Sequence, residues 1–583
     1  MTNHRSRRRT MGKRESQAVI TLASLLFIAA LIWVTRFWHS PQYGFYEDDY
    51  TRIPQALSMT GSELWKIIAQ AFRYFDNHGK PLHSTLIYSL ALIGGRVGDL
   101  FGVYIIGYLM VTINAFLFYW LIKRISNQTF AIISALAYCL YSADTTQAFI
   151  THSLGLQPSL TFLLLAMHAY LSDKKILSYL LITGILLNYE TPFLIFLSAP
   201  LLRKNWDKGL LRDLAQNTII VVGMLISVFL IRYLIGESRV SSLDFPDVVT
   251  IPITHMIQGP LVAFGAYFFR PIQAIQKINA EMVLLMAISF PVFAWILIKL
   301  KFGKMQGLSA EGNRPVLQDQ EGIVNIPKLK FGEWKNLGEF YMPLKLGITG
   351  IVMLILAYPL TFTVRAFAIS GRDTRVHFGA VIGAALLLGS ILYAALFLAQ
   401  RYKSRKVLAF TIAGVFSLLL GFGLVVQKDY QRAWILQQEL WSDIVKFVPD
   451  LDDGTVILVD PDGLVDTKYI AANTWSMPMV LKFIYQFPDN WQLTPRAHRL
   501  LPDWEERLLY NSLEIKAVDF NWEYVVVPWK DTVILETSEG RVVSRLEECQ
   551  IDGDIYKLKE IETGPGVLYP EGILYRYLIK SSQ

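Results

Sequence analysis

Residues 407–426, VLAFTIAGVFSLLLGFGLVV, are a run without a single charge, preceded by Arg401, Lys403, Arg405 and Lys406 and followed by Gln427-Lys428-Asp429. At 1.5 Å of rise per residue, about twenty apolar residues cross the roughly 30 Å hydrocarbon layer of a bilayer. The run therefore reads as a membrane-spanning helix, and it divides the chain. Residues 431–583 hold 15 Lys+Arg against 25 Asp+Glu, a net of −10. Residues 1–430 hold the other 40 basic and 23 acidic side chains, a net of +17. The overall charge of +7 thus averages a basic membrane part and an acidic appended part.

Toward the N-terminus, further apolar runs lie at 17–37, 102–122, 129–147, 154–171, 176–190, 191–202, 217–235, 281–300, 344–364 and 377–399. Hydrophobic residues make up 53% of the chain and charged ones 18%, against about 25% charged in a soluble domain. The pattern predicts a basic cytoplasmic N-terminus over 1–16 and an all-α polytopic membrane domain of about 11 transmembrane helices over 17–427. A soluble, mixed α/β domain over 428–583 follows. Met1 to Arg14 is basic, and no small-residue cleavage site follows the first apolar run, so that run reads as an uncleaved span. Cys139 and Cys549 cannot form a disulfide framework and read as free thiols.

Basic residues cluster at the ends of apolar runs, which is the signature of the cytoplasmic side and not of nucleic-acid binding. Arg5 to Arg14, Lys123-Arg124, Lys174-Lys175, Arg203-Lys204, Lys299 to Lys304 and Arg401 to Lys406 fall inside together. The parity holds only if 252–275, a proline-containing segment ending at Arg270-Pro271, does not cross; an interfacial or re-entrant piece fits. The tail, the loop 38–85, the stretch Asp144 to His152, the turn at Glu190 and the loop Arg365 to His377 then lie outside. The segment 302–343 is a long cytoplasmic loop to which no function is assigned.

The first outer loop carries the densest chemistry. In Tyr46-Glu47-Asp48-Asp49-Tyr50-Thr51-Arg52, three consecutive acids follow a span. Like charges this close raise at least one pKa, and a carboxylate at the membrane surface is a candidate general base; a solvated loop is the plainer alternative. Ser62 to Phe75 places Leu64, Ile67, Ile68, Ala71, Phe72 and Phe75 at helical spacing, which predicts an amphipathic surface helix with a Ser cap and Trp65 at the interface. A polar turn, Asn77-His78-Gly79-Lys80-Pro81-Leu82-His83, follows.

This arrangement resembles the GT-C superfamily of membrane glycosyltransferases, in which an acidic pair opens a long outer loop with interfacial helices. Asp48-Asp49 are similar to that pair, and Gly79-Lys80-Pro81-Leu82 resembles a Gly-Arg-Pro-Leu turn of bacterial members. Ala143 to Ser153 resembles the second outer loop of protein O-mannosyltransferase-like members. Asn188-Tyr189-Glu190-Thr191 is similar to their Lys-Glu-Thr turn, with Tyr189 in place of Lys. Ser370 to His377 is a basic outer loop suited to a lipid-linked phosphate. The resemblance implies transfer of a sugar from a polyprenyl-phosphate carrier to a glycan, lipid or protein acceptor on the extracytoplasmic side, in a bacterial inner membrane. It covers residues 17–426 in layout and leaves the tail outside.

On this reading Glu47, Asp48 and Asp49 are the catalytic candidates, with Asp48 or Asp49 as base. His78, Lys80, Asp144, Glu190, Arg372, Arg375 and His377 are the candidate binding residues. Fixed cations would stabilise the departing phosphate, and Arg suits it through bidentate bonding. No metal or other cofactor is required, although the three acids could hold a divalent ion through oxygen ligands. His152, His168 and His255 read as structural. A transporter or flippase of lipid-linked saccharides and a non-catalytic scaffold remain as alternatives. Absence of an internal repeat and clustering of polar residues at one surface weigh against transport. In the tail, Gly454 to Val459, Tyr524 to Pro528 and Thr532 to Leu535 read as strands and Gln437 to Val448 as a helix; a packing or docking module is the plain reading.

Overall fold

A computed structural model describes residues 19–74, 79–203, 206–236, 245–302, 340–362, 365–449, 451–460, 463, 477–499, 509–511, 514–518, 524–551, 554–561 and 569–579. The basic N-terminus, His78 and most of 302–343 lie outside the described residues. Among those described, eight helices are long and apolar enough to cross a membrane, and four shorter apolar helices accompany them. The expected count of about 11 is therefore not reproduced as such. Ile219, Leu230, Leu261 and Trp295 stand outside the bundle, more than half exposed or close to it. A face of that kind belongs in lipid, where apolar side chains cost nothing to expose. The chain is an integral membrane protein with a C-terminal mixed sheet.

The helices are α1 (Val19–Gln42), α2 (Asp49–Ser58), α3 (Gly61–Tyr74), α4 (Pro81–Ile125), α5 (Gln128–Cys139), α6 (His152–Leu171), α7 (Lys175–Asn188), α8 (Lys208–Leu234), α9 (Phe245–Gln276), α10 (Ala280–Lys299), α11 (Tyr341–Leu356), α12 (Val381–Arg401) and α13 (Arg405–Phe447). A 3-10 segment, Phe193–Leu202, follows α7, and Tyr189 to Pro192 form the tight turn expected between two short apolar pieces.

The basic residues gather at one end of the bundle. Lys123 donates to Thr21, Arg124 to the carbonyls of His168 and Leu171, and Lys345 to the carbonyl of Arg203. At the same end Arg203 pairs with Asp173 and Asp213, and Arg405 donates to the carbonyls of Leu297 and Ile298. The acid-bearing loops meet at the other end. Tyr46 donates to the carbonyl of Tyr430, Tyr430 to that of Thr145, and Tyr141 to that of His377. Hydrogen bonds thus collect the two sets of loops that flanking charge had separated.

Four departures from the sequence reading have physical causes. First, 252–275 is part of α9, a continuous 32-residue helix that keeps Pro252, Pro260 and Pro271 in its interior. It packs against α11, α12 and α13 and is hydrogen-bonded at three places: His255 meets Thr361 at 2.9 Å, Tyr267 donates to the carbonyl of Ala137, and Arg270 donates to those of Ser142 and Ile369. Arg270 is fully buried, so it is a clasp between loops and no end of a segment. Second, a further helix follows position 85 before the span. In α4 the backbone leaves helical geometry at Gly98 and Asp99, where φ is 56° at Asp99, so Pro81–Val97 is a separate helix before the span. Third, α3 is capped by Thr60, not Ser62: Thr60 N–H donates to Glu63 Oε2 at 2.6 Å and Glu63 N–H to Thr60 Oγ1 at 3.3 Å, a capping box. Trp65 on this helix is 70% exposed.

Fourth, the helix continues across 427/428. α13 runs unbroken from Arg405 to Phe447, absorbing the amphipathic helix expected at 437–448. No Gly or Pro interrupts 424–448, and buried Gln427 satisfies the polar step: it accepts from His39 N–H and donates to the carbonyl of Val34. Beyond it, β1 (Val456–Val459) pairs in parallel with β2 (Arg496–Arg499) and β6 (Thr532–Ser538), and β6 pairs antiparallel with β7 (Arg541–Arg545). β3 (Leu509–Asn511), β4 (Glu514–Val518) and β5 (Tyr524–Pro528) form a second sheet, and β8 (Glu548–Ile551) with β9 (Asp554–Lys557) a hairpin. Asp443 of α13 pins the main sheet through a two-bond ion pair with Arg541 at 2.6 and 2.8 Å.

Candidate active site

The site is built on the chain between α1 and α2. Glu47 takes a positive φ of 50°, an uncommon conformation for a residue with a side chain, and α2 starts two residues later. This bend sends adjacent acids in opposite directions. Asp49 turns inward and is fully buried; its two oxygens accept from Tyr46 N–H at 3.1 Å and Thr151 N–H at 2.8 Å. Burial pushes its carboxyl up to about 7, against the lowering effect of the Thr151 and Tyr46 hydrogen bonds. Asp49 therefore ties the first acid loop to the loop before α6.

Glu47 and Asp48 turn toward Arg372, which meets Glu47 Oε2 through Nε and Asp48 Oδ2 through Nη2, each at 2.8 Å. The Glu47 side chain is 5% exposed and that of Asp48 33%. Arg372 opens a 3-10 turn, Arg372–His377, directly after Gly371, whose φ of 67° a side chain would strain. Burial and the adjacent Arg375 pull the Arg372 guanidinium down from its ordinary value, while Asp48 and Glu47 hold it up.

A second cluster adjoins the first. Lys80, 8% exposed, reaches Glu190 at 3.0 Å and lies over the Tyr189 ring at 4.7 Å. Arg232, at the end of α8, reaches Glu190 at 3.6 Å and donates to the carbonyl of Leu186. Burial works against the charge of Glu190, but Lys80 and Arg232 outweigh it and hold the carboxyl down at about 2. Gly79 has a φ of 72°, and a Cβ there would stand 2.9 Å from Arg232, so the turn before Pro81 admits little else. Between the clusters lie two histidines. His83 Cε1 would be 2.5 Å from a Cβ on Gly155, and the His83 ring lies 6.0 Å from Tyr189. Arg375, Arg372, Asp48 and His83 all act electrostatically on His152, and Arg52 and Lys80 on His83. His83 Nδ1, His152 Nδ1 and Arg375 Nε are buried and have no hydrogen-bond partner among the described residues.

Of the residues singled out by sequence, Glu47, Asp48, Lys80, Glu190, Arg372 and Arg375 are brought together, and Asp49 supports them from behind. Two are placed elsewhere. Asp144 is 2% exposed and spends Oδ1 on Thr146, whose N–H and hydroxyl donate at 2.8 and 2.7 Å. It lines a small cavity of about 30 Å3 with Arg36 and Tyr141. His377 is fully buried between the Tyr358 hydroxyl at 2.8 Å and the carbonyl of Ala368 at 2.8 Å, a structural post. His78 lies outside the described residues.

Sequence reasoning missed His83, His152, Arg52 and Arg232. His152 reads from sequence as structural. Arg232 carried a usable signal, since it is a basic residue at the end of a span opposite to the other basic clusters. Glu47, Asp48 and Asp49 do not converge on a shared point, and among the described residues no group of three or more His, Cys, Asp or Glu side chains is gathered to hold a metal.

No protein-family model and no curated protein matches the chain. Among solved structures it is similar to a crystal structure of ArnT from Cupriavidus metallidurans bound to undecaprenyl phosphate. The two are 13% identical, with 89% of this chain and 93% of that one covered and a TM-score of 0.35. The apo state of the same enzyme aligns at 12% identity over 81% of this chain and 85% of that one, with a TM-score of 0.34.

Proposed function

We propose that the chain is a membrane glycosyltransferase that moves a sugar from a polyprenyl-phosphate donor to an acceptor hydroxyl at the acid-loop end of the bundle. One observation carries the reading. Among the described residues, Lys80, Arg232, Arg372 and Arg375 stand with the carboxylates of Glu47, Asp48 and Glu190, and His83, His152 and Arg375 keep unspent polar atoms inside the cluster. Such a surplus of fixed donors is complementary to a phosphate, and it sits where helices long enough to span lipid end.

Asp48 is the residue assigned as base, because it is the most exposed carboxylate of its trio and Asp49 has both oxygens engaged by backbone N–H groups. In the reaction Asp48 takes the proton of the acceptor hydroxyl as that oxygen bonds to the anomeric carbon. The bond from that carbon to the phosphate oxygen breaks, and its electron pair leaves with the lipid phosphate, neutralised by Arg372, Arg375 and Lys80. Arg372 also aims Asp48. The acid-loop end is assigned to the extracytoplasmic face, of a bacterial inner membrane, because the basic loops occupy the other end.

The test is transfer of labelled sugar by purified protein from a panel of polyprenyl-phosphate donors to a panel of lipid, glycan and peptide acceptors. Transfer by the wild type, with loss of at least a hundredfold in Asp48→Asn, supports the assignment. Undiminished transfer in Asp48→Asn would remove Asp48 as base, and no transfer from any donor would remove the reaction.

A further inference from the structure

At the end of the bundle away from the acid loops, two short stretches carry cations without acids. One is Lys299-Leu300-Lys301, where α10 stops; the other is Arg401 to Lys406, around the turn between α12 and α13. Neither Trp295 to Phe302 nor Leu398 to Thr411 contains an Asp or Glu. Arg405 joins the two stretches. Its guanidinium donates to the carbonyls of Leu297 and Ile298 at 3.0 and 2.9 Å and to that of Leu300, and it lies over the Phe302 ring at 4.8 Å. Arg405 thus satisfies open carbonyls at the C-terminus of α10 and fixes the turn against that helix.

The other five cations are free of such partners. Lys299, Lys301, Arg401, Lys403 and Lys406 are exposed, and among the described residues none of their side chains meets a carboxylate. Asp173 and Asp213, acids at the same end, are engaged by Arg203. Lys403 stands at a φ of 57°, in the position after a helix that glycine usually fills. There its N–H and that of Ser404 close α12 on the carbonyls of Gln400 and Ala399, at 3.3 and 2.9 Å. A lysine at this position keeps a charge in the turn at the cost of backbone strain.

Apolar surface adjoins the charges. Trp295, one turn before Lys299 on the same face of α10, is exposed, as are Val407 and Phe410 in the first turns of α13. Tyr402, in the turn itself, is exposed too, an aromatic ring suited to the level where lipid meets water. Unmatched cations beside exposed apolar side chains are complementary to a molecule that carries a negative head on an apolar tail. A soluble polyanion would match the charges and leave the apolar side chains uncovered. A zwitterionic lipid would cover those side chains while bringing its own ammonium among the lysines.

We propose that the end of α10 and the α12–α13 turn together form a binding site for an anionic diacyl phospholipid of the surrounding membrane. Flanking cations orient a span wherever they stand. That task requires neither the joining of two clusters by Arg405 nor a lysine held at a positive φ. The site stands at the opposite end of the bundle from the acid–cation cluster and does not rest on the glycosyl-transfer reading.

The experiment is native mass spectrometry of the purified full chain in detergent, titrated separately with phosphatidylglycerol and phosphatidylcholine of identical acyl chains. It counts the lipids bound and gives a dissociation constant for the first. Phosphatidylglycerol should bind roughly tenfold more tightly or better, since each cation near an anionic headgroup contributes about fivefold. The variant Arg401→Gln, Lys403→Gly, Lys406→Gln should lose this preference while binding phosphatidylcholine as the wild type does, which shows its fold intact. Lys403→Gly alone relaxes the turn and should still weaken phosphatidylglycerol binding about fivefold. Lys174→Gln, Lys175→Gln removes two exposed cations outside this surface and should leave the preference unchanged. Equal affinities for the two lipids, or a preference undiminished in the triple variant, would overturn the inference. So would an equal loss in the Lys174, Lys175 variant, because the effect would then belong to charge anywhere on this face.

Discussion

Replacement of Asp49 by Asn isolates the energetic consequence of burying an acid behind the site. The folded carboxyl is raised to about 7 by burial, while an unfolded Asp titrates near 3.9. Between those values the native protein keeps a proton that the unfolded chain has lost, so stability falls as pH rises, by about 1.4 kcal/mol per pH unit. From pH 5 to pH 8 this amounts to a loss of about 3 kcal/mol. Asn cannot titrate, so the variant lacks this slope. It carries a fixed penalty instead, because one carboxylate oxygen becomes an NH2 facing the N–H of Tyr46 or Thr151, at a cost of about 1–3 kcal/mol. Wild type should therefore be the more stable protein at pH 5, and its advantage should shrink by about 3 kcal/mol at pH 8. Unfolding by denaturant in detergent, followed by near-UV circular dichroism at each pH, measures the difference and cancels other titrating groups. Parallel curves for wild type and Asp49→Asn would refute the reasoning.

Lys80→Met strands Glu190 with Arg232 alone and should destabilise by roughly 3 kcal/mol, while the double change Lys80→Met, Glu190→Gln should recover part of that loss; additive effects in a denaturation cycle would deny the pair. Arg372→Lys should lose transfer nearly as fully as Arg372→Gln, because one ammonium cannot match the fork that meets Glu47 and Asp48, and steady-state kinetics of both variants decide it. Gly371→Ala imposes a side chain on a φ of 67° and should cost about 1 kcal/mol or more, with KM for the donor rising ahead of any change in kcat. Conversely, His377→Gln should lower the melting temperature without shifting the pH profile of transfer, since the imidazole is spent on Tyr358 and Ala368.

What the sequence disclosed follows from what it encodes locally. Charge at the ends of apolar runs sorted the loops into two sets because membrane insertion acts on each loop separately. The helical spacing of Leu64, Ile67 and Ala71 placed α3 within a residue of where it lies. The acid cluster at Glu47 to Asp49 was visible as a cluster, but not the division of labour inside it. That depends on the φ of Glu47 and on Thr151 and Arg372, which stand 102 and 324 positions away from the acids they bind. Asp144 looked like its neighbours in composition, and only the Thr146 bonds withdraw it. α13 was cut short because Gln427-Lys428-Asp429 reads as an exit from apolar surroundings. An exit from lipid is not an end of helix when the backbone is still bonded to itself and Gln427 finds partners in α1.

The length of α13 has a geometric consequence. Its 43 residues make a rod of roughly 65 Å. About twenty of them suffice for the hydrocarbon layer, which leaves roughly 35 Å standing clear of it. Because Asp443 near the far tip is bolted to Arg541, the rod acts as a pillar that sets the height of the sheet over the membrane. The sheet is thereby carried at a fixed distance from the lipid-spanning part of the same helix.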